Sequence, residues 1–162
     1  MSDILVWKDA YRVGDALVDT QHQELFADCQ RVDALVASGK LGSQQAMTQE
    51  LVHLFEEFRN HFDEEMQHLR RVYHVVYREH ERHHAEFLEK LQSILDESNQ
   101  RVPDVRALIA VVGSWFVDHI LDTDIPQFEE LRQRGLFAPE SWDGKDARSE
   151  PGPGSAIPWC GG

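Results

Sequence analysis

The chain has 162 residues, of which 41% are hydrophobic and 28% charged, and its formal charge is -13. That length and apolar share suit one folded core and exclude disorder throughout. The acidity argues against a nucleic-acid partner and against adhesion to anionic membrane surfaces. Two cysteines, Cys29 and Cys160, are too few for a disulfide framework. No stretch reaches the roughly 18 apolar residues of a membrane span. The start, MSDILVWKDAYR, lacks the basic-then-apolar order of a secretory signal. A monomer in a reducing cytoplasm, without membrane insertion, is the expectation.

In chain order, residues 1–18 read as an irregular N-terminal arm carrying Ile4, Leu5, Val6 and Trp7 and broken by Gly14. A first helix is expected from about Asp19 and Thr20, where Thr20 and Gln23 have capping-box spacing, to about Gly39. After the turn GKLGS, a long second helix spans about 43–71. Tyr73 and the β-branched residues of 72–76 interrupt it, and a third helix covers about 77–97. Pro103 suits the first position of a fourth helix. Pro126 falls inside that helix, lacks an N–H and clashes with the preceding turn, so a kink or break is expected near Asp124. Gly135 should end the ordered part, leaving residues 136–162, with SEPGPGSAIPWCGG, as a flexible tail.

Each helix carries an apolar stripe at spacings of three and four: Leu25, Phe26, Cys29 and Val32; Leu51, Leu54, Phe58 and Phe62; Phe87, Leu91 and Leu95; Leu108, Val112, Trp115 and Phe116. Four such helices with short connections make an all-α, up-down-up-down four-helix bundle over residues 19–135.

Histidines and acids sit on these same stripes. In RNHFDEEMQHLRRVYHVVYREHERHHAEF, residues 59–87, His61 and Glu65 share a face with Phe58, Phe62 and Leu69, and His80 and His84 lead into Phe87 and Leu91. His119 extends the stripe of Val112 and Trp115, with Asp124 five residues on, and His22 opens the stripe of the first helix. Residues four apart have Cβ atoms about 5–6 Å apart, so such a pair can grip one ion or two adjacent ions. Bare carboxylates on a buried stripe are costly, and a shared cation removes the cost. A lone buried histidine is more often satisfied by a local hydrogen bond, but five histidines and two acids coinciding on four stripes favour a metal.

Seven ligands are too many for one tetrahedral zinc, and imidazoles suit calcium and magnesium poorly. Imidazole with carboxylate suits iron; haem, the rival in a bundle, needs no carboxylates, and no CxxCH is present. Two octahedral irons have twelve positions between them, and five imidazoles, two bridging carboxylates and a bridging hydroxide occupy all but one.

These residues resemble the hemerythrin family, in particular its bacterial single-domain members. The resemblance covers about residues 7–125 and rests on Trp7, Val13, Gly14, Asp19, Gln21 and His22, then HFDEE, HERHH before Phe87, and HILDTD. It implies a non-haem di-iron centre, Fe2+ or Fe3+, with a bridging oxo or hydroxo group and O2 as the exogenous ligand. It further implies that His80, His84 and His119 hold one iron, that His22 and His61 hold the iron with the open position, and that Glu65 and Asp124 bridge the two.

The implied function is reversible O2 binding for transport, storage or delivery to an oxygen-consuming enzyme. Catalytic residues are not expected. The rivals are a di-iron enzyme acting on peroxide, NO or ferrous iron, and an oxygen or redox sensor module. Helical position nominates Leu25, Phe58, Phe62, Trp115 and Ile120 as apolar walls beside the ligand. His68 is expected at the edge of the buried stripe, His83 in solvent, and Cys29 in the core as a small apolar residue.

Overall fold

In a computed structural model, residues 6–98 and 104–136 are described. Helix α1 spans Ala16–Ala37, α2 Gln44–Val72, α3 Arg78–Ser98, α4 Val105–His119 and α5 Ile125–Gln133. A short 3-10 turn, Asp9–Tyr11, precedes α1, and a wide π turn, Ile120–Asp124, joins α4 to α5. α1 packs on α2 and α4, and α2 packs on α3, which gives the four-helix bundle with no strand among the described residues. No described helix is long and apolar enough to cross a membrane. Pro103, Ile4, Leu5, Cys160 and all of the tail except Leu136 lie outside the described residues.

α1 begins earlier than the capping-box spacing predicts. Asp15, not Thr20, caps it, accepting hydrogen bonds from the Leu17 and Val18 amides at 3.1 and 3.2 Å. Thr20 instead turns its hydroxyl back to the Ala16 carbonyl, and Asp19 accepts from the Val13 and Gly14 amides. Gly14, at φ 89°, makes the bend that lets the arm fold over this end, a conformation most side chains resist. α1 therefore begins at Ala16, three residues before the expected Asp19.

The irregularity expected near Asp124 is present as a wide π turn over Ile120–Asp124 and not as a break. The Ile125 amide donates to the Ile120 carbonyl, five residues back, and Pro126 sits in the first turn of α5. A turn with one residue too many has a carbonyl in excess, and proline has one donor too few. The two irregularities coincide, so the chain runs on from Val105 to Gln133 without a break.

Two apolar clusters fill the bundle. The larger contains Phe26, Phe58, Phe87, Ile109 and Phe116; the smaller contains Val18, Met66, Leu69, Phe128 and Leu131. Ile109 was missed by the stripe reading, which selected Leu108; Ile109 is fully buried and Leu108 only partly so. Each side chain of this size contributes about 1.5–3 kcal/mol on burial.

At the smaller cluster, Asp15 also accepts from Tyr73 and lies 2.8 Å from His68 Nε2, tying the start of α1 to the end of α2. His68 is thereby a structural clasp at the stripe edge. Burial alone would raise the Asp15 pKa, but the bonds from Tyr73, His68 and the Val18 amide outweigh it and hold it below 3.8. Asp15→Ala is expected to cost about 2 kcal/mol at pH 7, by loss of a helix cap and of two buried partners. Because the folded pKa is the lower one, that contribution is complete above the unfolded carboxyl's value and declines as the pH falls through the folded value. Denaturant melts at pH 7 and pH 3 should show the gap to wild type narrowing in acid. Asp9→Ala, on an exposed carboxylate paired only with Arg12, should lie within about 0.5 kcal/mol of wild type at both.

Candidate metal centre

Between the two apolar clusters lies a polar layer. α1 contributes His22, α2 contributes His61 and Glu65, α3 contributes His80 and His84, α4 contributes His119, and the π turn contributes Asp124. All seven are buried, and His22, Glu65, His80 and Asp124 fully so. The four-residue spacings in α2 and α3 put each pair one turn apart on one face. His119 and Asp124 are five apart, which a regular α-helix would separate by about 140°. The π turn, with its bond five residues back, brings them onto one side. Their approach, at 3.1 Å, is thus a product of the irregular turn.

Two groups of ligand atoms result: Glu65 with His80, His84 and His119, and Glu65 with His22 and His61. In each group the atoms all lie within 4.8 Å of one another. His119 Nε2 is 3.0 Å from His80 Nε2 and 2.8 Å from His84 Nε2. Glu65 Oε2 faces His80, His84 and His61 at 3.5, 3.6 and 3.9 Å. Asp124 turns Oδ1 to His80 and His119, both at 3.1 Å, and Oδ2 to His22 at 3.4 Å. Both carboxylates therefore stand between the three-histidine group and the two-histidine group.

The electrostatics are those of a site made for cations. Burial pushes the His22 pKa down to about 4, and burial with neighbouring imidazoles lowers those of His61 and His84 as well. These rings are neutral at pH 7 and present lone pairs. Burial, then the charges of Asp124 and Asp15, push the Glu65 pKa well above the usual range. For Asp124 burial acts in the same direction, but His119, His80 and His22 overcome it and hold the carboxyl well below the usual range.

Among the described residues, both oxygens of Glu65, both nitrogens of His22 and Nε2 of His61 find no hydrogen-bond partner although buried, and Asp124 meets only the imidazoles of His80, His119 and His22. Among the described residues no lysine or arginine pairs with either acid. Such a cluster of orphaned acceptors is costly unless cations occupy it. Imidazole and carboxylate donors in this ratio fit iron, so the residues present fit a di-iron group.

The predicted walls divide between the two groups. Phe62 stacks on His84 with ring centroids 3.8 Å apart, and Trp115 stacks on His119 at 4.7 Å. They brace the three-histidine group. Phe116, which the wall assignment passed over, stands edge-on to His22 at 5.2 Å and to His61 at 6.0 Å. Phe58 packs on Phe116, and Ile120 is fully buried in the same cluster. Leu25 borders a cavity of about 180 Å³ between α1 and α2 that reaches His61 and carries Glu24, Glu57 and Glu64 on its walls.

Gln21 was named for the resemblance, but its role beside His61 escaped the sequence reading, as did Gln127 altogether. Gln21 Oε1 lies 3.1 Å from His61 Nδ1, and Gln127 Oε1 lies 2.7 Å from His80 Nδ1. The available signal for Gln127 was its proximity in sequence to Asp124. His83 is partly exposed and pairs with Glu79 at 3.3 Å, outside the layer. Cys29 is buried in the larger cluster, and burial pushes its thiol up to about 12, so it is no thiolate at neutral pH.

A four-helix bundle that seals histidines and carboxylates between two apolar clusters belongs to the class of buried helical metal-binding domains. The family model for the hemerythrin HHE cation binding domain matches residues 13–125, from the arm through the π turn, and the chain belongs to the hemerythrin family. The chain is also similar to the bacteriohemerythrin of Clostridium acetobutylicum, with 24% identity over 124 residues, covering 75% of this chain and 96% of that protein. No solved structure matches it.

Proposed function

We propose that this chain binds O2 reversibly at a di-iron centre, for oxygen transport, storage or delivery to an oxygen-consuming enzyme. The supporting observation is the buried layer of five imidazoles and two carboxylates, with Glu65 acceptors that no described residue satisfies. His80, His84 and His119 would hold one iron, His22 and His61 the other, and Glu65 and Asp124 would link them. When bound, the iron pair supplies reversible electron donation to O2. The protein's part is to hold the rings in place.

Phe62 and Trp115 lock the rings of His84 and His119 by stacking, which preserves a fixed ligand geometry. Phe116 separates His22 and His61 from the helix behind them and presents an apolar edge. The aromatic rings packed around His22 are Trp7, His61 and Phe116.

An anaerobic-to-aerobic optical titration tests the proposal. A charge-transfer band should grow with O2 and vanish when O2 is removed. His61→Ala should abolish the band, and His83→Ala should leave its amplitude within about twofold, since His83 lies outside the layer. Rapid oxidation with no band that persists under O2, or equal loss in both variants, would contradict the carrier reading.

A further inference from the structure

We infer that Gln21 and Glu64 form a relay that sets the tautomer of His61 from the protein surface, and so presents the His61 Nε2 lone pair to the centre. The inference rests on the metal-centre reading above. Gln21 reaches from α1 across to α2, and its carboxamide stands between two groups of opposite demand. Its Nε2 donates to the Glu64 carboxylate, and its Oε1 lies 3.1 Å from His61 Nδ1.

A carboxylate can only accept hydrogen bonds, so Gln21 must offer it the NH2 group. The amide oxygen is thereby committed to His61. That oxygen can only accept, so Nδ1 must carry the imidazole proton. A neutral imidazole has one N–H, so Nε2 keeps its lone pair, 3.9 Å from Glu65. An exposed carboxylate thus determines the state of a buried nitrogen through one amide.

The other member of the two-histidine group has no such support, since among the described residues His22 Nδ1 has no hydrogen-bond partner. On the far side the same contrast recurs, with His80 Nδ1 held by Gln127 and His84 Nδ1 unpartnered. Fixing Nδ1 from outside orients a ligating imidazole and raises its affinity for metal. Because the supporting group is a neutral amide, it adds no negative charge beside Glu65 and Asp124.

Three variants separate orientation from charge. Lysine only donates, so Glu64→Lys should invert the Gln21 amide, turning its NH2 toward His61 and driving the ring proton onto Nε2. Glutamine still offers a carbonyl, so Glu64→Gln should preserve the relay. Gln21→Leu removes it. The readouts are iron per chain, the rate of iron loss to a chelator and the midpoint potential of the iron-loaded full chain, with circular dichroism as the check on folding.

Glu64→Lys and Gln21→Leu should lose iron about 10- to 100-fold faster than wild type with shifted potentials, and Glu64→Gln should stay within about threefold. Wild-type protein holding two irons, with all three variants unchanged, would overturn the relay alone. So would a Glu64→Gln variant that loses iron as fast as Glu64→Lys, since charge and not orientation would then govern. Wild-type protein without iron overturns the metal-centre reading and the relay together.

Discussion

Iron loading should raise the thermal midpoint of this chain by about 8–16 °C. Without cations the polar layer sets three neutral imidazoles, of His22, His61 and His84, beside Asp124 and beside a Glu65 that no described residue hydrogen-bonds. Each orphaned buried group costs about 1–3 kcal/mol. Ligands that bind only the folded chain add about 4 kcal/mol when free metal exceeds the dissociation constant 1,000-fold. A domain of this size gains about 2–4 °C per kcal/mol. Calorimetry of iron-loaded and chelator-treated protein measures the difference directly. Magnesium at the same concentration should produce little of it, because imidazole is a poor ligand for that ion. Equal midpoints with and without iron would show that the layer is satisfied in some other way.

Glu65→Leu should move stability and metal binding in opposite directions. Glu65 belongs to both groups of ligand atoms, so its loss should weaken iron binding at each by more than about 100-fold, beyond what loss of an outer partner costs. In chelator-treated protein the same change removes a fully buried carboxyl with two unpartnered oxygens and replaces it with an apolar side chain. A buried polar group without partners costs about 1–3 kcal/mol, and a gain of that order is expected on its removal. Paired urea melts with and without chelator, alongside iron quantification, provide the comparison. A carboxylate kept for packing would give a destabilised variant in both conditions. One kept for metal gives the crossed result.

The sequence carried much of this arrangement because helical spacing is a local property. His61 with Glu65, and His80 with His84, are one turn apart among phenylalanines and leucines, so their face can be read from a wheel. The bundle followed from four apolar stripes and short turns. What escaped depends on geometry between elements. The start of α1 was misplaced because Asp15 takes its partners from Tyr73 and His68, more than fifty positions away, as well as from its own helix. Pro126 reads as a helix breaker, yet the π turn before it absorbs the missing donor and also aligns Asp124 with His119.

The walls show the same division. Phe62 and Trp115 were legible as buried rings, but which histidine each would stack on depended on the angles between helices. Gln21 and Gln127 were unreadable as partners of His61 and His80, because nothing in a single helix shows where a glutamine amide on another helix will end.

Anomalous diffraction at the iron edge from crystals of iron-loaded protein tests the central claim most directly. Two neighbouring peaks are expected in the layer between the Phe58–Phe116 cluster and the Met66–Phe128 cluster, one against His80, His84 and His119 and one against His22 and His61. A layer without iron density, or a single iron bound away from Glu65 and Asp124, would contradict the account.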